Sequence, residues 1–192
     1  NGGGVIVIPV GTFSITTVTF PAGTTPIWLV GQGAATRLKR RSTLSAGVGL
    51  LDIRGSNVTL DSFVIDGDVT VPVGILYNSD FTGIGANDPM ADSLTRNTSV
   101  WLHGGTSNFT CQNITWRHTG GFSGLVDAMD GGITDVRFLS CRVEQCRPNL
   151  FGVTAGAAIF GAWTGGLYVN GDGRASNPGC VVKRFTVSQC NF

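Results

Sequence analysis

The chain has 192 residues, 42% of them apolar and only 13% charged, with 13 Lys plus Arg against 12 Asp plus Glu. That is an ordinary domain's length with enough apolar content for a sizeable core, which excludes a disordered chain. Near neutrality denies a phosphate backbone the positive field it needs, and no stretch reaches the roughly 18 consecutive apolar residues of a membrane span, so neither nucleic acid nor membrane is an expected partner.

From the N-terminus, the predicted elements are short β-strands. GGGVIVIPVGTF opens the chain, and WLVGQGAATRLKR follows with a short basic cluster, Arg37, Lys39, Arg40 and Arg41, read as a solvated strand or turn edge. GLLDIRG (49–55) precedes NVTLDSFVIDGD, which starts at Asn57. Residues 77–99, with Asp80, Asp88 and Asp92 amid Gly and Pro, read as a long loop covering an edge, since their carboxylates lack EF-hand spacing. SVWLHGG (99–105) precedes NFTCQNITWRHT, and GLVDAMDGG (124–132) precedes DVRFLSCRVEQC. LYVNGDG (167–173) lies ahead of GCVVKRFTVSQC. Gly punctuation interrupts every candidate helix, and β-branched and aromatic residues fill the runs between.

Four of these segments share a fault in their alternation. Aligned from Asn57, Asn108, Asp135 and Gly179, they give four apolar columns: Val58, Phe109, Val136, Cys180; Leu60, Cys111, Phe138, Val182; Phe63, Ile114, Cys141, Phe185; and Ile65, Trp116, Val143, Val187. Between the second and third columns parity shifts across a two-residue, mostly polar bend that includes Ser62, Asn113, Ser140 and Arg184. Each unit is therefore two short strands meeting at a corner, and the recurrence predicts a β-solenoid whose coils stack in parallel about 4.8 Å apart.

The opening GGG element, WLVGQGAATRLKR and the repeated units resemble the right-handed parallel β-helix proteins of the pectate lyase and polygalacturonase type, over nearly the whole chain. The resemblance implies an all-β, right-handed parallel β-helix across residues 1–192 and a secreted or cell-surface carbohydrate-active protein. Relatives usually plug the core with an amphipathic helix ahead of the GGG element. Here the chain starts at Asn1 without one and stops at Phe192 just after a unit, so a fragment of a longer protein lacking end caps is expected. The relatives' active-site motifs are absent: there is no G-H-G, no N-T-D and no Asp-Asp pair, VWLH only loosely matches a pectate lyase strand, and RPN (147–149) lacks a second Arg three residues after the Pro. No site residue transfers from the family.

Cys111, Cys141 and Cys180 fall in apolar columns and read as small core residues. Cys146 and Cys190 share one column past the second strand, within disulfide reach if their units are adjacent coils. No Cys or His spacing fits zinc. Sequons at Asn57, Asn97, Asn108 and Asn113 are compatible with secretion, while Asn57 and Asn108 also read as corner amides able to stack in a ladder.

Chemistry is expected on the strand preceding each unit. Counting back equally from the unit starts puts Leu51, Leu102 and Met129 in an inward column and Asp52, His103 and Asp130 in the next, outward one. Arg54 and Trp101 lie close by, Trp101 in a register that argues for exposure. Tyr168, Asn170 and Asp172 join if a gap is allowed. His118 reads as a corner residue, and Trp28, Trp116 and Trp163 as packing. Aromatic faces stack on sugar rings and ionisable groups move protons, so the ribbon suits a polysaccharide or glycan. Asp130, His103 and Asp52 are the candidate acid, base or substrate contacts, and Trp101, Arg54, Tyr168, Asn170 and Asp127 the candidate substrate-binding residues.

Two reactions fit. Glycoside hydrolysis needs two carboxylates, about 5 to 5.5 Å apart for retention or 6.5 to 9.5 Å for inversion. Asp127 with Asp130 is a further pair, although Asp127 shares the parity of Met129 and reads as inward. Eliminative cleavage of a uronide needs a base such as His103 or Arg54, with Ca²⁺ or a cation on the substrate carboxylate. The rival class is non-catalytic, a surface adhesin, phage-type spike or filament subunit using the coils as a stiff scaffold. A homo-oligomer remains open.

Overall fold

The computed structural model describes residues 2–41, 49–67, 98–119, 122–128, 130–144, 166–171 and 179–191. Asn97, Met129, Cys146, Trp163, Asp172, the side chain of Asn170 and most of the expected 77–99 loop lie outside the described residues. Three strands make each turn of the chain. The first coil is β1 (Gly4–Val7), β2 (Gly11–Ile15) and β3 (Val18–Phe20); the second is β4 (Ile27–Val30), β5 (Thr36–Arg40) and β6 (Leu51–Ile53). Next come β7 (Val58–Asp61), β8 (Val64–Asp66) and β9 (Val100–Leu102), then β10 (Ser107–Gln112), β11 (Thr115–Arg117) and β12 (Gly124–Asp127). The fifth coil holds β13 (Ile133–Leu139), β14 (Arg142–Glu144) and β15 (Leu167–Asn170), and β16 (Val182–Ser188) begins a sixth.

Every third strand pairs in parallel with its equivalent. The sheets run β1-β4-β7-β10-β13-β16 (sheet A), β2-β5-β8-β11-β14 (sheet B) and β3-β6-β9-β12-β15 (sheet C). The protein is an all-β parallel β-helix. The basic cluster falls in and just after β5, within sheet B.

The parity fault has a backbone cause. Ser62, Asn113, Ser140 and Gln189 stand at the corner between sheets A and B with φ of 58, 54, 53 and 56°. A second corner, entering sheet A, repeats the device at Asn57, Asn108, Asp135 and Arg184, with φ of 60, 53, 58 and 53°. Left-handed backbone costs a non-glycine residue about 1–2 kcal/mol, least where a short polar side chain bonds locally. Asn108 Nδ2 donates to Asn57 Oδ1 at 2.8 Å, and Asn57 Nδ2 to the Thr24 carbonyl at 2.7 Å, so the amides form the expected ladder. Further along, Arg184 grips Asp135 through two bonds of 2.6 Å.

That ion pair corrects the register of the last unit. Asp135 is level with Arg184 and not with Gly179, since Val136 pairs Phe185 and Phe138 pairs Val187. The internal files are therefore Val58, Phe109, Val136, Phe185, then Leu60, Cys111, Phe138, Val187, then Phe63, Ile114, Cys141, Cys190. The cause is the pattern itself: apolar residues at places two, four, seven and nine of a unit overlap themselves after a slip of five, so alternation alone permits both registers. Cys190 thus sits over Cys141, while Cys146, with which it was expected to share a column, lies outside the described residues.

The core runs along the axis and is filled to contact. Phe63, Phe109, Trp116 and Phe138 have at most 1% of their surface exposed. Phe138 lies 5.9 Å from Phe109, 6.3 Å from Trp116 and 6.0 Å from Phe185 between ring centroids. Gly124 makes room for Leu167 on the next coil, because a Cβ there would stand 2.9 Å from Leu167 Cδ1. Trp116 is core, as expected, but Trp28 is 44% exposed on the outer face of sheet A, where its indole hydrogen-bonds Asp61.

Candidate functional site

Sheet C carries the candidate residues, and alternation decides which of them face outward. Leu51, Ile53, Val100, Leu102 and Val126 point into the core. The outward positions form two files along the axis. Asp52, Trp101, Leu125 and Tyr168 are in register in one. Arg54, His103, Asp127 and Asn170 follow two residues later in the other, with the His103 amide bonded to the Ile53 carbonyl at 3.0 Å.

This differs from the expected column of Asp52, His103 and Asp130. Counting back from the units fails because the return to sheet A lengthens coil by coil, from Ile53 to Asn57, then Leu102 to Asn108, then Val126 to Asp135. Asp130 leaves the sheet altogether and lies exposed in the turn after β12. Its backbone packs beside Gly104, where an added Cβ would come within 2.6 Å of the Asp130 carbonyl carbon. Asp127, read as inward, takes the outward parity and is half-buried, whereas Ala128 is core.

Asp52 and His103 nevertheless meet, diagonally between adjacent coils. His103 Nε2 lies 2.6 Å from Asp52 Oδ1, Arg54 Nε donates to Asp52 Oδ2 at 2.6 Å, and the Gly49 amide donates to Oδ1 at 3.3 Å. The Asp52 side chain is 1% exposed, His103 13% and Arg54 43%, so the cluster grades from a buried anion to a solvated cation. Burial pushes the Asp52 carboxyl up, but the hydrogen bonds from His103 and Arg54, the His103 charge and the Gly49 amide outweigh it and hold the group below its ordinary value. An ionised carboxylate only accepts, so the hydrogen facing Asp52 is on Nε2, and in the neutral imidazole Nδ1 is the nitrogen that accepts.

Trp101 completes the cluster. Its ring stacks on His103 with centroids 4.9 Å apart and planes 12° from parallel. Its register faces outward as expected, but it is only 6% exposed. The His103 ring covers one face, and Gly49 closes over its base, where a Cβ would meet the Trp101 Cβ at 2.9 Å. Its indole N–H is buried with no hydrogen-bond partner among the described residues. Tyr168, three coils from Asp52 and two from Trp101 in the same file, stacks on Phe122 at 5.0 Å. By register Asp127 is level with His103, about one coil spacing of 4.8 Å away, and Asn170 with Asp127.

Gly49 and Phe122 were not among the candidates. D-x-R at Asp52 and Arg54 and W-x-H at Trp101 and His103 were the available signal, since two residues apart on a strand means one face. A second Asp–His contact joins His118 Nδ1 to Asp66 Oδ1 at 3.1 Å, with Arg37 at 3.5 Å from Oδ2; His118 has φ of 50°, as a corner residue does. Among the described residues no group of three or more His, Cys, Asp or Glu side chains converges to hold a metal.

Comparison with models of known protein families, with curated proteins and with solved structures finds no match.

Proposed function

We propose that the protein is an extracellular carbohydrate-active β-helix of the pectate lyase and polygalacturonase type that cleaves an acidic polysaccharide, with His103 as the proton acceptor. The observation that carries this reading is the 2.6 Å contact between His103 Nε2 and a buried, ionised Asp52. A carboxylate behind an imidazole fixes its tautomer and stabilises the imidazolium that forms when Nδ1 takes a proton. Arg54 is tied to Asp52 through Nε and keeps the rest of its guanidinium for an anion, which suits the carboxylate of a uronide.

Elimination fits this cluster better than hydrolysis through Asp52. Both Asp52 oxygens are committed to donors, so Asp52 orients and does not act as an acid. In the eliminative step Nδ1 of His103 removes the proton beside the uronide carboxylate, the freed pair forms a carbon–carbon double bond, and the glycosidic oxygen leaves. A cation such as Ca²⁺ on the substrate carboxylate would assist that charge. Hydrolysis would fall instead to Asp127 and Asp130.

A panel of acidic and neutral polysaccharides tests the reading, with unsaturated-uronide absorbance and reducing ends recorded together. Absorbance that disappears in His103→Gln supports it. Reducing ends without absorbance, lost in Asp130→Ala, would move the chemistry to hydrolysis. Glycan binding with no turnover at all would favour the adhesin or spike class and end the enzymatic proposal.

A further inference from the structure

Three thiols line up inside the last coils. Cys141 Sγ lies 4.0 Å from Cys111 Sγ, and the Cys141 amide donates to Cys190 Sγ at 3.3 Å. Cys141 and Cys190 are level on neighbouring coils: Arg142 bridges Asn191, and the Asn191 amide bonds the Cys141 carbonyl at 2.9 Å. Adjacent parallel strands stand about 4.8 Å apart, inside the range of about 4.4 to 6.8 Å that a disulfide spans between Cα atoms. Cys111 belongs to a different file, level with Phe138, and is fully buried, whereas Cys190 is half-buried and within reach of a small oxidant.

We propose that Cys141 and Cys190 are an oxidisable pair that closes to a disulfide stapling the fifth coil to the sixth. With hydrogen peroxide as oxidant, the Cys190 sulfur attacks one peroxide oxygen, the O–O bond breaks, and Cys190 becomes a sulfenic acid with release of water. The Cys141 sulfur then attacks the Cys190 sulfur, the S–O bond breaks, and a second water leaves as the S–S bond forms. The two thiols lose two electrons and two protons, and the peroxide is reduced to water. The Cys111 thiol beside it lowers the Cys141 thiol from its ordinary value, which suits Cys141 to the second step. Burial raises the Cys190 thiol, so the first step is slow and calls for excess peroxide.

Trypsin, which does not cut the Arg147–Pro148 bond, separates the cysteines concerned, placing Cys111 in 97–117, Cys141 in 138–142, Cys146 in 143–174 and Cys190 in 185–192. The 192-residue chain is treated with peroxide, alkylated, digested without reductant and read by mass spectrometry. The expected product is 138–142 joined to 185–192, two hydrogens lighter than the sum of the peptides, restored by dithiothreitol and absent from Cys141→Ser and Cys190→Ser. Circular dichroism matched to the parent confirms that the variants fold. A link from 185–192 to 143–174, a link from 97–117 to 138–142, a sulfinic acid on 185–192 without a link, or full alkylation of both thiols would each overturn the proposal.

Discussion

Asp52 and His103 lie far apart in sequence and are useful to one another only because the coils stack. Asp52→Asn keeps the side-chain shape but removes the charge that holds the imidazole, and it is expected to lower kcat by about 10²-fold or more with little change in KM. Initial rates across pH check this, because a purely structural role would leave the shape of the profile unchanged. The same carboxylate contributes to acid stability, together with Asp61, where burial is again outweighed, here by bonds from Ser62, Gln112, Asn113 and Trp28. Both folded-state values lie below the ordinary 3.8, so the stabilisation is present above that pH and is lost as pH falls through the folded values. Denaturant midpoints should therefore decline below pH 3.8, and the decline should be shallower in Asp61→Asn. An equal slope in the variant would remove Asp61 from the account.

At the scale of the element, the corners do what the strands cannot. Asn108 spends its left-handed backbone and its amide at one place, and the two contributions separate by substitution. Asn108→Ala is expected to lose about 1–2 kcal/mol, whereas Asn108→Gly, free of the Cβ penalty, should lose clearly less, as urea unfolding would show. Stacking also sets like above like, which would line up charges of one sign. Along sheet B the sequence alternates them instead, with Lys39, Asp66, Arg117 and Glu144 in one outward file and Arg117 Nη2 2.7 Å from Glu144. The corners were legible in the sequence because Ser62, Asn113 and Ser140 interrupt alternation at one place in three units. The site was legible only in part. Its residues were found by parity, but their pairing depends on the length of each return to sheet A, which alternation does not encode. The slip of five in the last unit has the same origin, and only Arg184 against Asp135 and Cys190 over Cys141 resolve it.

For the whole molecule, one apolar column joins coils that are distant in sequence, so damage to its centre should spread. Phe138 touches Phe109, Trp116 and Phe185 from three neighbouring strands, and Phe138→Ala is expected to cost about 3–5 kcal/mol in chemical denaturation. A loss below about 1 kcal/mol would mean that the column is loosely packed there. The stacking itself is tested most directly by nuclear Overhauser effects in an isotopically labelled sample. Contacts from the Ile114 methyls to both the Phe63 ring and the Cys141 β-protons, and from the Phe185 ring to the Val136 methyls, are predicted. A Phe185 ring in contact with Ile114 and Cys141 but not Val136, or an Ile114 without Phe63, would contradict the coil register on which the Asp52–His103 pair depends.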